Sequence, residues 1–195
     1  MKPIAHLILI ALTTALAGCA SAPSKFYTLN STAVKNSSPL SDCSIVIGAV
    51  SIPAVVDRPQ FTVQTGPNEV SVNEFNRWAA PLNESIARVV AGDLATLLGT
   101  GKVAATPLAN FDSAYRVSIE VQRFESTPGK SAMIEAVWVV RKTGADETHS
   151  GRTVANETVQ GETFEALAAA HSQALAKLSG DIAAAIRAEA ASPKP

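Results

Sequence analysis

The chain has 195 residues, a hydrophobic fraction of 47%, 17% charged residues and a formal net charge of −1. A chain of this length can bury a sizeable core without disulfide or metal staples. The near-balanced charge lacks the basic excess that a nucleic-acid partner requires.

Residues 1–18 read as a lipoprotein signal peptide. Lys2 is a short positive region, residues 4–16 are mostly apolar but too few to span a bilayer as a helix, and Leu16-Ala17-Gly18-Cys19 is a lipobox. An ordinary secretory signal also ends in small residues. What differs here is the cysteine directly after Gly18, followed by Ala20-Ser21-Ala22-Pro23-Ser24. The expected chemistry is a diacylglycerol on the Cys19 sulfur, cleavage before Cys19 and acylation of the new amino terminus. One myristoyl chain gives only marginal binding, whereas two or three acyl chains on one residue hold stably. Losing Lys2 takes the formal charge to −2. Cys43 is then left without a partner in the chain. It borders Ile45-Val46-Ile47, so a buried thiol is expected rather than an intermolecular disulfide.

Residues 19–25 are read as the lipidated terminus and tether, 26–190 as one domain, and 191–195 as a frayed tail. Phe26-Tyr27-Thr28-Leu29 predicts a short strand, and the Ser-, Asn- and Thr-rich residues 30–42 a loop. Residues 44–52 are β-branched and apolar on both faces, which predicts a central strand ended by Pro53. Residues 61–64 and the run through Val70, Val72 and Phe75 predict strands flanking a Gly66-Pro67-Asn68 turn. Leu82, Ile86, Val89, Val90, Leu94, Leu97 and Leu98 recur at helical spacing, so residues 81–98 predict a helix stopped by Gly99 and Gly101.

Tyr115, Val117, Ile119 and Val121 alternate with polar residues, a half-buried strand whose rhythm breaks before Phe124, as at a bulge. Ile134, Ala136, Trp138 and Val140 predict the next strand, and the polar residues 152–160 a sheet edge. Residues 163–190 predict a second long helix, with a bend or pause at Gly180. The order of elements predicts a two-layer α+β domain, with a largely antiparallel or mixed sheet and two long helices packed on one face.

No catalytic constellation emerges. His171 falls on the apolar stripe of the second helix and is expected to be structural; His149, beside Asp146 and Glu147, is expected to be solvated. No paired His or Cys spacing supports a metal site. Gly99-Thr100-Gly101-Lys102 lacks the spacing and the hydroxyl residue of a phosphate loop and follows a helix instead of preceding one. No Gly-x-Ser-x-Gly elbow occurs. No cofactor is called for beyond the covalent lipid on Cys19. Arg58, Arg77 and Trp78 flank Pro-containing turns and form a candidate partner-binding rim. The competing reading packs Trp78 over the helix start and uses Arg58 to close a loop.

Four stretches together resemble the PqiC-like ABC-type transport auxiliary lipoproteins. They are Phe26-Tyr27-Thr28-Leu29; Ile52-Pro53 with Val56-Asp57-Arg58-Pro59-Gln60; Phe75-Asn76-Arg77-Trp78-Ala79-Ala80-Pro81-Leu82; and Ala170-His171-Ser172 with Leu178-Ser179-Gly180-Asp181-Ile182-Ala183. Each is weak alone, but in this order behind a lipobox they are specific. The resemblance implies a non-enzymatic accessory working beside an MCE-domain protein and an inner-membrane transport component, in a system that carries lipids or other hydrophobic molecules between two membranes. In proteobacterial lipoproteins an Asp after the acylated cysteine retains the protein in the inner membrane; Ala20 and Ser21 therefore imply the outer membrane, facing the periplasm. The alternatives are a scaffold for outer-membrane assembly and a lipid-binding carrier with its own pocket. Homo-oligomerisation, the cargo and the docking surface stay open at this level.

Overall fold

The computed structural model describes residues 22–35, 39–40, 43–145 and 148–191; Cys19 and the tail from residue 192 lie outside them. Four strands, β1 (Lys25–Tyr27), β2 (Ile45–Ser51), β3 (Gln60–Gly66) and β4 (Glu69–Trp78), precede α1 (Leu82–Leu98). Four more, β5 (Val103–Ala104), β6 (Tyr115–Thr127), β7 (Ser131–Lys142) and β8 (Thr148–Thr158), precede α2 (Phe164–Ala191).

The class is α+β as expected, but the strands form two sheets: three strands in the order β1-β4-β3 and five in the order β5-β2-β6-β7-β8. In the larger sheet β2 lies parallel to β5 and β6, while β6, β7 and β8 form an antiparallel meander. The smaller sheet is the β3–β4 hairpin with β1 added in parallel. Its separation has a local cause. Pro53 ends β2, and the Val56 and Asp57 N–H groups fold back onto the Pro53 carbonyl at 3.0 and 3.2 Å. The chain is thereby turned away from the sheet before β3 begins.

Both helices cover one face of the larger sheet. α2 packs along β7 and β8, α1 along β2 and β5, and the helices touch each other. Helical spacing on α1 and strand alternation on the sheet meet here, burying Ile86, Leu94, Ile45, Ile134, Leu175 and Ile182 completely. Pro81 caps α1 in an extended conformation, and Glu84 occupies the first turn, where an acid suits the helix dipole. Gly99 ends the helix at φ 65°, its N–H returning to the Ala95 carbonyl. α2 runs through Gly180 without the expected pause.

The rhythm break in β6 is a bulge. Its register against β7 shifts between Val121 and Arg123, which returns Phe124 and Ser126 to the buried face. The polar strand β8 lies at the sheet edge. Beneath it, a Cβ on Gly151 would fall 2.3 Å from the Trp138 ring, so only glycine admits the indole there. The indole N–H then donates to Thr153 Oγ1 at 3.1 Å, whose hydroxyl donates to Asp181 Oδ2 at 2.5 Å, tying α2 to the meander.

Candidate functional site

The segment that follows the tether is fixed to both layers. β1 pairs with β4, and the Tyr27 hydroxyl donates to Asn76 Oδ1 at 2.7 Å. The Tyr27 ring meets Phe61 and Phe164 edge-on or tilted, with centroids 5.6 and 6.0 Å away. Burial raises its phenol pKa above the ordinary value. Beyond buried Leu29 the chain crosses the helix pair. The Asn30 N–H donates to Ser172 Oγ at 3.1 Å, and the Thr32 hydroxyl to the Ser172 carbonyl at 3.2 Å. Asp93 of α1, fully buried, receives the Ser31 hydroxyl at 2.6 Å and the Thr32 and Ala33 N–H groups at 3.0 Å on Oδ1. Its Oδ2 receives the Ser179 hydroxyl of α2 at 3.1 Å. One carboxylate thus joins the entering strand, α1 and α2. Asp93 escaped the sequence reading, although an acid between Val90 and Leu97 on an apolar stripe was a signal that could have shown it.

The residues of the candidate rim separate. Trp78 is 5% exposed and stacks on Phe61, with centroids 4.0 Å apart and planes at 28°. Arg58 is exposed in the turn before β3, where the Trp78 N–H donates to the Pro59 carbonyl at 2.7 Å. Asp57, Arg58 and Pro59 on one side and Trp78 to Leu82 on the other line a depression of about 380 Å³. Arg77 does not line it. Its Nε donates to the Glu74 carbonyl at 2.8 Å on the outer face of β4.

Cys43 is buried, and burial pushes its thiol up to about 11, so it is inert toward thiolate chemistry. His171 is fully buried and lies flat on Phe124 at 3.8 Å and 9°, with Nε2 2.8 Å from Ser126 Oγ. Burial holds its pKa down to about 3. His149 corrects the expectation of a purely solvated side chain. Pairing with Val140 turns it toward α2, where Nε2 lies 2.6 Å from Glu189 Oε2. Lys142 Nζ reaches the other Glu189 oxygen at 3.1 Å. The His149 hydrogen bond, then Lys142, hold the Glu189 carboxyl below its ordinary value.

No helix among the described residues is long and apolar enough to cross a membrane. Among curated proteins none matches this sequence. Two crystal structures share the fold. One, of an uncharacterized protein, is 20% identical with a TM-score of 0.70, over 85% of this chain and 99% of its own. The other is protein XCC0632 from Xanthomonas campestris, a DUF330 protein, 21% identical with a TM-score of 0.69, over 82% of this chain and 93% of its own. The family model for the ABC-type transport auxiliary lipoprotein component matches residues 27–183, from β1 into the second half of α2. The chain therefore belongs to the ABC-type transport auxiliary lipoprotein component family.

Proposed function

We propose that the protein is held by acyl chains on Cys19 at the periplasmic face of the outer membrane, and serves there as a non-enzymatic accessory of an MCE-type system that moves lipids or other hydrophobic molecules between the two membranes. The family match over residues 27–183 carries this reading, and the lipobox ending at Cys19 supports the anchor. The accessory acts by docking. Its partner surface includes Arg58 at the rim of the depression over Pro59 and Pro81, where the buried Trp78 ring supplies a rigid floor. Arg77 and Trp78 contribute to this surface by fixing the path of β4 into α1 and not as a shared rim. A carrier's own pocket is less favoured: the apolar cleft beside Val56, Val63 and Phe124 holds only about 90 Å³, and the larger hollow next to it, about 760 Å³, is lined mostly by polar residues such as Gln64, Arg123, Glu125 and Lys130, which do not suit an acyl chain.

Crosslinking in intact cells, followed by purification of the lipidated protein from envelope extract, tests this. Recovery of an MCE-domain protein with a membrane transport component is the expected result, and Arg58→Glu should reduce it. Absence of any transport component, together with hydrolytic activity in the purified chain, would overturn the proposal.

A further inference from the structure

The large exposed apolar side chains include two aromatics, Phe26 at 63% and Phe75 at 45%. Both stand beside the tether. Tyr27 points inward onto Phe61, so alternation turns Phe26 to the outer face of β1. Its partner across the parallel ladder is Arg77. Phe75, two residues before Arg77, lies within the register shift where residues 74–76 of β4 have no partner on β3, and its ring is exposed there. The Asn73 carboxamide oxygen holds that stretch by accepting the Phe75 and Asn76 N–H groups at 3.2 and 3.0 Å. Two exposed phenyl rings thus stand on neighbouring strands of a small sheet, with Arg77, opposite Phe26 and 3.6 Å from Glu74, beside them.

Chain length limits what can lie against them. Six residue steps separate Cys19 from Lys25, so an acylated Cys19 can lie no more than about 20 Å from the start of β1. The surface of the domain around that point is therefore the one that can reach the bilayer. Exposed aromatic rings beside a cationic side chain such as Arg77 are the chemistry that suits the boundary between headgroups and acyl chains.

We propose that the outer face of β1 and β4 around Phe26 and Phe75 rests in the phospholipid surface that holds the acyl chains of Cys19. The two rings set the orientation of the domain, with the β1–β4–β3 sheet toward the bilayer. This inference rests on the proposed anchor, and its test separates the two. The full lipidated chain is reconstituted in phosphatidylethanolamine and phosphatidylglycerol vesicles whose acyl chains are brominated, a short-range quencher of indole emission. Phe26→Trp and Phe75→Trp report the patch, and Val154→Trp, 61% exposed on β8 of the other sheet in the parent, is the reference. The native Trp78 and Trp138 are both buried and give the background. The added emission of Phe26→Trp and Phe75→Trp should fall at least twofold more than that of Val154→Trp. If the chain floats with the vesicles but these two residues quench no more than the reference, the patch faces protein or water and the proposal fails while the anchor stands. If the chain does not float, the anchor fails and takes the proposal with it.

Discussion

Acidification should destabilise this protein through His171. Its ring is fully buried against Phe124, and Nδ1 has no hydrogen-bond partner among the described residues. In the folded state the imidazole takes a proton only near pH 3; in the unfolded chain it does so near 6.5. Between these values the unfolded state binds more protons, so stability rises with pH. The contribution is whole above pH 6.5 and is lost as pH falls toward 3. At pH 4.5 the deficit is about 3 kcal/mol, at about 1.4 kcal/mol per unit below 6.5. For a domain of this size that lowers the melting temperature by roughly 6–12 °C. Other groups titrate too, including Glu189, so the comparison is with His171→Gln, which keeps a hydrogen-bonding end for Ser126 but takes no proton. Thermal melts of both proteins at pH 7.5 and 4.5 read the difference. His171→Gln should be less stable at pH 7.5 yet lose about 3 kcal/mol less on acidification. Parallel pH dependences for the two proteins would refute the reasoning.

Cys19→Ser should leave an unprocessed precursor that incorporates no labelled fatty acid; normal processing of that variant would remove the anchor from the proposal. Ile86→Asp places an unpaired charge where the parent side chain is 0% exposed. It should cost at least about 4 kcal/mol, seen as loss of a cooperative melt. Asp93→Ala strips the acceptor from the Thr32 and Ala33 N–H groups. It should cost about 2–4 kcal/mol and speed hydrogen exchange at those amides; unchanged protection there would show that the crossing segment is held by something else.

What the sequence carried was periodicity. The spacing from Leu82 to Leu98 set α1 within a residue of its observed bounds, and the alternation from Tyr115 to Val121 found the start of β6, which runs six residues further, to Thr127. Each pattern is enforced by one continuous buried face. The split into two sheets left no such trace, because β3 and β4 bury residues on one side whichever sheet they join, and only the turn at Pro53 decides it. β5 is two residues long, too short to show a period. The site was legible in part. Trp78 and Arg58 do meet at one depression, but Arg77 leaves it, since neighbouring residues on a strand point to opposite faces. His149 looked solvated because its partner Glu189 lies forty residues further on, a distance no local pattern spans.

The same geometry explains how a short tether can hold a folded domain. β1 is three residues long, and a parallel strand of that length would fray under any pull applied at its amino end. The chain does not rely on it. Past Leu29 it is bound at Asn30, Ser31, Thr32 and Ala33 to side chains or carbonyls of both helices, with Asp93 receiving three of those bonds. Those bonds are charge-assisted at a buried carboxylate and so among the stronger in the protein. A pull on Cys19 therefore passes through β1 into the α1–α2 pair, and from there into the larger sheet through the main core. In the proposed seating, the rings of Phe26 and Phe75 would oppose rotation about that attachment. On the proposed anchoring and seating, a domain tied at one residue and held at two further points would keep its remaining faces, including the Arg58 depression and the β8 edge, at a fixed height above the bilayer, as the proposed docking role requires.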